Sequence, residues 1–187
     1  MMFTFSKPLW KVLKDKKVYE TPIFSLNEKE VLPDGDKTPA SFYVINAPEW
    51  INVIALTEGK EIVLVEQYRH GIHESTLEIP GGMVDSGEKP LETAKRELLE
   101  ETGFSSTRWK KIGKTSSNPA IMSNFTHLYL AENCIKTDDI SLDGHEDIKV
   151  HVMPLKGFLN LVESRVVHHA IVLAAVSKLL LKYPELA

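Results

Sequence analysis

The chain has 187 residues, of which 43% are hydrophobic and 26% are charged, and its formal net charge is -4 at pH 7. This length and composition are typical of one globular domain and exclude a disordered or fibrous chain. The negative charge gives no electrostatic basis for binding nucleic acid or an anionic membrane surface, so we expect neither as a partner.

The cysteine content and the apolar runs indicate the compartment. The single cysteine, Cys134, cannot form an internal disulfide and lacks the Cys and His neighbours of a zinc site. We read no signal peptide in MMFTFSKPLWKVL, because no apolar core is followed by a cleavage site. The longest apolar run, AIVLAAV at 170–176, has 7 residues and is too short to span a bilayer. We therefore expect a cytoplasmic protein.

The N-terminal part of the chain is rich in lysine and is interrupted by prolines. Five of them lie within the first 48 residues: Pro8, Pro22, Pro33, Pro39 and Pro48. Short strands and turns are therefore expected here rather than helices. The β-branched and aromatic residues of SFYVIN and WINVIALT predict strands, and WINVIALTEGKEIVLVEQYR predicts a hairpin that turns at Glu58 and Gly59.

A helix is predicted over residues 90–102, since Pro90 suits the first turn of a helix and Gly103 suits the residue after its end. Its buried face would carry three apolar side chains, Leu91, Ala94 and Leu98. The segments TRWKKIGKT, FTHLYLAE and HEDIKVHVMPL predict further strands, and alternation predicts that the second of them is half buried. GFLNLVES and HHAIVLAAVSKLLLKY predict two helices, the last ending at Pro184.

The predicted helix and the loop before it form an unusually acidic segment, GGMVDSGEKPLETAKRELLEETGF. It holds five glutamates, namely Glu88, Glu92, Glu97, Glu100 and Glu101. Glu97 and Glu101 are one helical turn apart, and Glu100 lies within reach of both. Two carboxylates about 6 Å apart repel each other by roughly 3 kcal/mol at an effective dielectric constant of about 20, so we expect a cation to offset the cluster.

Two explanations of this acidic cluster are open. In the first, Arg96 forms i,i+4 ion pairs with Glu92 and Glu100, and the helix face is simply solvated. That explanation does not account for the preceding Pro-Gly-Gly segment at 80–82, which lets the backbone come close to a ligand. In the second, the carboxylates bind Mg²⁺, which takes carboxylate, carbonyl and water oxygens and usually binds together with substrate phosphates.

The segment resembles the signature of the Nudix hydrolases, which runs Gly, five residues, Glu, seven residues, Arg-Glu, an aliphatic residue, any residue, Glu-Glu, any residue, Gly and an apolar residue. Every specified position is filled, by Gly82, Glu88, Arg96, Glu97, Leu98, Glu100, Glu101, Gly103 and Phe104. The resemblance implies an α+β fold, the Nudix α/β/α sandwich with a mixed β-sheet and an N-terminal antiparallel strand arm. Residues 1–48 would form that arm, with a part in dimerisation and in the substrate site, and residues 49–187 the hydrolase domain.

The resemblance also implies a chemistry, because Nudix enzymes use divalent metal to cleave a diphosphate linked to another group. It identifies five candidate metal ligands, Glu97, Glu101, Glu100, the carbonyl of Gly81 and Glu88, with Mg²⁺ as the expected ion and Mn²⁺ as the alternative. Arg96 is expected to serve catalysis by orienting the glutamates. The general base is either a signature glutamate, here Glu100, or Glu146 in the later loop LDGHEDIKV, and Glu146 is equally well explained as an exposed loop acid.

Features outside the signature resemble the branch of the family that hydrolyses ADP-ribose and other nucleoside diphosphate sugars. EQYR at 66–69 and LEIPGG at 77–82 precede the signature as they do in that branch, and a proline follows Phe104 by 15 residues. The branch implies a homodimer in which N-terminal strands cross to the partner. It also implies four candidate substrate contacts, Arg69, Glu78, Pro119 and Tyr19. Arg69 suits a phosphate because its guanidinium is bidentate, and a surface arginine at a strand end is the alternative.

Alternatives remain open for both the substrate and the activity. Tyr19, Phe24 and Trp50 are candidates to stack on a base, although such aromatics are more often core or interface. Ala120 follows the proline where the branch commonly has glycine, which leaves the substrate open. The alternatives are a Nudix hydrolase of nucleoside triphosphates or dinucleoside polyphosphates, a catalytically silent nucleotide-binding module and a purely structural acidic helix. The complete set of carboxylates argues against the silent module, because a binder has no need of a self-repelling cluster.

Overall fold

The structure is a computed structural model that describes residues 10–142 and 147–186. Its internal contacts divide the chain into two compact units. The first unit comprises Met1–Pro48 and Asn118–Asn124, and the second comprises Glu49–Ser117 and Phe125–Ala187.

The first unit contains an antiparallel three-stranded sheet. Its strands are β1 (Trp10–Glu20), β2 (Ser25–Pro33) and β3 (Ala40–Asn46), and their order in the sheet is the same as their order in the sequence. The Ile45 amide donates to the Ile121 carbonyl at 2.7 Å, which ties segment 118–124 to β3. The prediction of strands instead of helices is confirmed, although β1 and β2 span 11 and 9 residues and are not short. The prolines permit this length because Pro22 lies in a turn and Pro33 at a strand end.

The second unit is built on a mixed sheet, which has eight strands within the described residues. In chain order these are β4 (Trp50–Thr57), β5 (Glu61–Arg69), β6 (Glu74–Glu78), β7 (Gly81–Met83), β8 (Phe104–Ser105), β9 (Arg108–Thr115), β10 (Thr126–Lys136) and β11 (Ile148–Pro154). The main path is β11-β5-β4-β10-β8, with β6 beside β5, β7 beside β4 and β9 beside β10. Only β4 and β10 run parallel among these described pairs. The predicted β4–β5 hairpin, with its turn at Glu58 and Gly59, is confirmed.

Helices cover both faces of this sheet. They are α1 (Pro90–Thr102), α2 (Leu155–Glu163) and α3 (Ala170–Lys182), and a single 3₁₀ turn follows at Pro184–Leu186. Alternate residues of β4 point to opposite faces, so that Val53 packs with α1 while Ile54 packs with α2 and α3. The predicted α/β/α sandwich is confirmed. In the described part of the chain, none of the helices is long and apolar enough to cross a bilayer.

The bounds of α1 agree with the prediction because both of its end signals are local. Pro90 occupies the first turn, where a helix needs no amide donor. Gly103 follows the helix with a left-handed φ of 73°, and its amide donates to the Leu99 carbonyl at 2.7 Å. The expected apolar side chains, Leu91, Ala94 and Leu98, face the sheet.

Strand β10 differs from the prediction in its burial. The sequence alternation indicates a half-buried strand, but Thr126 through Ala131 are all buried. The reason is that β10 lies between β4 and β9, with α1 on one face of the sheet and α3 on the other. Its polar residue His127 is accommodated by contacts with the side chains of Glu49 and Lys111.

We expect Gly103→Ala to lower the free energy of unfolding by about 2–4 kcal/mol, because a Cβ would be held at a left-handed φ and would overlap the backbone oxygen of Asp138. Gly87→Ala is the matched control. Gly87 has a φ of 86°, but no heavy atom lies within 4 Å of the added Cβ, so its cost should be about 1 kcal/mol. Urea unfolding of the two variants measures both values, and equal losses would contradict the steric argument.

Candidate functional site

The acidic edge of α1 converges on one arginine. Nη1 of Arg96 lies 2.8 Å from Glu100 Oε2 and 3.0 Å from Glu97 Oε1. Nη2 of Arg96 lies 3.2 Å from Glu88 Oε2 and 3.7 Å from Asp85 Oδ2. These contacts raise the pKa of Arg96, with the hydrogen bond to Glu88 as the main cause. The positive charge that the cluster requires is therefore supplied, at least in part, by a residue of the same helix.

The ion pairs of α1 agree only in part with the first explanation of the acidic cluster, that of a solvated helix face. The pair between Arg96 and Glu100 is present. Glu92 does not pair with Arg96 among the described contacts and instead lies 3.1 Å from Lys95 Nζ on the exposed face of the helix. Arg96 instead reaches back to Glu88, which precedes the helix and is brought close by the entry loop.

Glu88 is held at the junction between this loop and α1. Its Oε2 accepts a hydrogen bond from the Thr93 hydroxyl at 2.7 Å, and both carboxylate oxygens accept from Arg96. The hydrogen bond from Arg96 is the main cause that lowers the pKa of Glu88. The carboxylate is therefore ionised at neutral pH and has a defined orientation.

Two glycines of β7 allow the glutamates of α1 to approach the backbone. The Gly81 amide donates to Glu101 Oε2 at 2.9 Å, and Glu101 is only 3% exposed. A Cβ on Gly82 would overlap the carboxylate of Glu97, and a Cβ on Gly81 would overlap the side chain of Asn52. Side chains at either position would thus displace the groups that face them.

The donor set fits a hard divalent cation. Glu88, Glu97, Glu100 and Glu101 supply carboxylate oxygens, which are the ligands that Mg²⁺ and similar ions take. As these side chains stand, no group of three or more His, Cys, Asp and Glu residues within 10–142 and 147–186 is arranged to hold a metal ion. Because Arg96 Nη1 contacts both Glu97 and Glu100, a cation would compete with the Arg96 guanidinium for these two carboxylates.

A second charged pair lies at the ends of β5 and β6. Glu78 Oε1 accepts from Arg69 Nε at 2.6 Å and from the Thr76 hydroxyl, and Glu78 Oε2 accepts from Arg69 Nη2 at 2.7 Å. Burial alone would raise the pKa of Glu78, but the hydrogen bonds from Arg69 and Thr76 outweigh it and the pKa is lowered. The pKa of Arg69 is raised, mainly by Glu78, and the charge of Glu101 adds to this effect. The Arg69 pair is thus within electrostatic range of the acidic edge of α1.

The structure places most of the sequence-predicted site residues in the second unit, namely Arg69, Glu78, Gly81, Glu88, Arg96, Glu97, Glu100 and Glu101. Tyr19 and Pro119 belong to the first unit, where Tyr19 is 63% exposed on β1. Glu146 lies outside the described residues. The functional roles expected of all these residues stay predictions.

Two residues near Glu78 have no role in the sequence analysis. Thr76 lies two positions before Glu78 on β6, so the strand period could have indicated that both share a face. His169 comes from the segment before α3, and its Nε2 lies 3.6 Å from Glu78 Oε2. No local pattern predicts that contact, because 90 residues of intervening chain separate the two. Burial lowers the pKa of His169, and within the described residues its buried Nδ1 has no hydrogen-bond partner.

The chain is similar to known proteins over most of its length. The NUDIX domain model matches residues 48–174. An ADP-ribose pyrophosphatase of Bacillus subtilis (strain 168) is 31% identical over 174 residues, which cover 92% of this chain and 93% of that protein. A methanol dehydrogenase activator of Bacillus methanolicus is 29% identical over 174 residues, which cover 92% of this chain and 93% of that protein. A crystal structure of an ADP compounds hydrolase, 20% identical, matches with a TM-score of 0.82 over 98% of both chains and supports the fold.

Proposed function

The chain belongs to the Nudix family, and from this membership we propose that it hydrolyses the diphosphate of ADP-ribose or a related nucleoside diphosphate sugar to a nucleoside monophosphate and a sugar phosphate. The observation that carries the proposal is the gathering of four signature glutamates. Glu97 and Glu101 lie against the glycines of β7, and Arg96 links Glu97 to Glu88 and Glu100. The similarity to the ADP-ribose pyrophosphatase of Bacillus subtilis over 92% of the chain supports the substrate class.

The reaction requires a metal ion, since ADP-ribose pyrophosphatases of this family depend on a divalent metal. We propose Mg²⁺ as that ion and Mn²⁺ as the alternative, held by Glu97, Glu100, Glu101 and the Gly81 carbonyl, with Glu88 nearby. Such an ion neutralises charge on phosphate oxygens and lowers the pKa of a bound water.

The residues of the chain prepare the site for this chemistry. Arg96 restrains Glu97 and Glu100 through contacts of 3.0 and 2.8 Å, and the Gly81 amide restrains Glu101. A cation that displaces the Arg96 guanidinium would therefore find Glu97 and Glu100 already side by side on one edge of α1. Arg69 has a planar guanidinium that suits two phosphate oxygens, so we assign it to the diphosphate.

We expect the purified protein with Mg²⁺ to release a nucleoside monophosphate and a sugar phosphate from ADP-ribose. Glu101→Gln should lower kcat/KM by at least about 100-fold, because it removes a charged ligand of the metal. Glu92→Gln is the matched control on the same helix and should retain activity, since Glu92 pairs only with Lys95 among its described contacts. Product detection across ADP-, GDP- and UDP-sugars and nucleoside triphosphates measures this.

Each negative result of that assay has a defined meaning. Turnover of triphosphates with no reaction of the sugars would contradict the proposed substrate and favour the triphosphate branch. A nucleotide sugar that binds and stays intact with Mg²⁺ present would contradict hydrolysis and favour a binding module.

The general base is assigned by a second substitution. We propose Glu146, two positions before β11 in the sequence, as the residue that takes a proton from the attacking water, with Glu100 as the alternative. Glu146→Gln should then lower kcat by about 10²–10⁴-fold and leave KM near its original value. Glu163→Gln, an exposed glutamate at the end of α2, is the control. Unchanged turnover by Glu146→Gln would exclude Glu146 and leave Glu100.

We also propose that the protein is a homodimer formed through the arm at residues 1–48, and that it is cytoplasmic. The sheet of the first unit exposes four large aromatic side chains, Trp10, Tyr19, Phe42 and Tyr43. The rings of Trp10 and Phe42 contact each other edge to face with centroids 5.8 Å apart, and an exposed aromatic pair of this kind is typical of an interaction site. Sedimentation equilibrium should give about twice the chain mass of 21.1 kDa, and a monomer at micromolar concentration would contradict the dimer. Cell fractionation tests the compartment.

A further inference from the structure

Glu78 is a charged side chain in a place where charges are seldom found. It is 1% exposed at the end of β6, and ionised carboxylates are rarely buried without partners. Both of its oxygens are occupied by hydrogen bonds from Arg69, and one of them also accepts from Thr76. This burial leaves it almost no surface with which to contact a ligand directly.

The two bonds to Arg69 determine the orientation of the guanidinium. Its Nε and Nη2 donate in parallel to the two oxygens of Glu78, at 2.6 and 2.7 Å, and such a fork-to-fork pair defines the plane of both groups. A guanidinium has five N–H groups, so three are left for other acceptors. The Arg69 side chain is 41% exposed, in contrast to its partner, so part of Arg69 is open to a ligand while Glu78 is not.

The surroundings of Glu78 indicate that Arg69 is the charge that compensates it. His169 is the other basic group near its carboxylate, but burial lowers the pKa of His169, so the imidazole is neutral at neutral pH. The Arg69–Glu78 pair consequently carries little net charge. The pair therefore contributes little positive potential at the site. It can instead offer a diphosphate N–H donors that point in a defined direction.

We propose that Glu78 is a positioning residue for the hydrolysis, which orients the Arg69 guanidinium toward the substrate diphosphate without touching the substrate itself. Thr76 supports it by holding the carboxylate. This inference rests on the proposed function, in which Arg69 binds the diphosphate.

The test is a double-mutant cycle with Glu78→Gln, Arg69→Ala and the double variant, assayed with ADP-ribose and Mg²⁺. Glutamine keeps the shape of Glu78 but replaces one acceptor oxygen by an amino group, which breaks one of the two bonds to Arg69. We expect Glu78→Gln to raise KM by about 10–100-fold with a smaller effect on kcat. In the Arg69→Ala background the same change should alter kcat/KM by less than about 2-fold.

Glu74→Gln is the matched control, because Glu74 lies opposite Arg69 in the same hairpin but is exposed. It should leave KM unchanged. Equal effects of Glu78→Gln with and without Arg69 would show that Glu78 acts independently, and would overturn the proposal. A Glu78→Gln protein with the KM of the wild type would overturn it as well.

Thermal melting shows whether Glu78→Gln folds. If it does not, Thr76→Val replaces it in the cycle, since this change removes only the hydroxyl that holds the carboxylate. A raised KM that disappears in the Arg69→Ala background would support the proposal, and an unchanged KM would overturn it.

A readout without turnover separates this inference from the proposed function. In the wild type, the Arg69 Nε–H should give a distinct, slowly exchanging NMR signal, which Glu78→Gln should abolish and Glu74→Gln should keep. If the wild-type protein hydrolyses none of the sugars, the proposed function fails while this signal still reports on the orientation of Arg69. The same Arg69 signal in wild type and Glu78→Gln would overturn the positioning role.

Discussion

The candidate site depends on the close approach of α1 to the backbone of β7. Gly81 and Gly82 present no side chains there, so Glu101 accepts a hydrogen bond from one amide and Glu97 lies directly against the other glycine. Carboxylates that are brought this close repel one another, and the repulsion would oppose the packing of the helix. Arg96 offsets it from within the same helix. The packing of α1 against β7 therefore depends on the charge balance of the site.

Arg69 and Arg96, both in the second unit, pair with acids in physically different ways. Arg96 is shared among several partly exposed carboxylates at distances from 2.8 to 3.7 Å, an arrangement that can rearrange when a cation enters. Arg69 makes a bidentate pair with a single carboxylate that is 1% exposed. Release of that pair would leave a buried charge without a partner, so the Arg69 pair resists rearrangement. An adaptable cluster and a rigid one therefore lie within electrostatic range of each other.

The central strands provide the rigid support that both clusters need. β4 and β10 run parallel and are buried on both faces, with α1 on one side and α2 and α3 on the other. β4 also pairs with β7, and through it with the glycines that face α1. The neighbouring β5 carries Arg69 at its end. The positions of both charged clusters thus follow from one sheet whose residues can shift little, because protein interiors are close-packed.

Features that depend only on neighbouring residues can be predicted from the sequence. Pro90 and Gly103 bound α1 because helix ends are set within one turn of chain, and the family is visible because its signature is contiguous. Tertiary structure decided the partners of the charges. Arg96 contacts Glu88 instead of Glu92 because the entry loop folds back, and His169 reaches Glu78 only through the packing of the C-terminal helices. Burial of β10 was decided in the same way, since residue spacing specifies which side chains share a face of an element but not what covers that face.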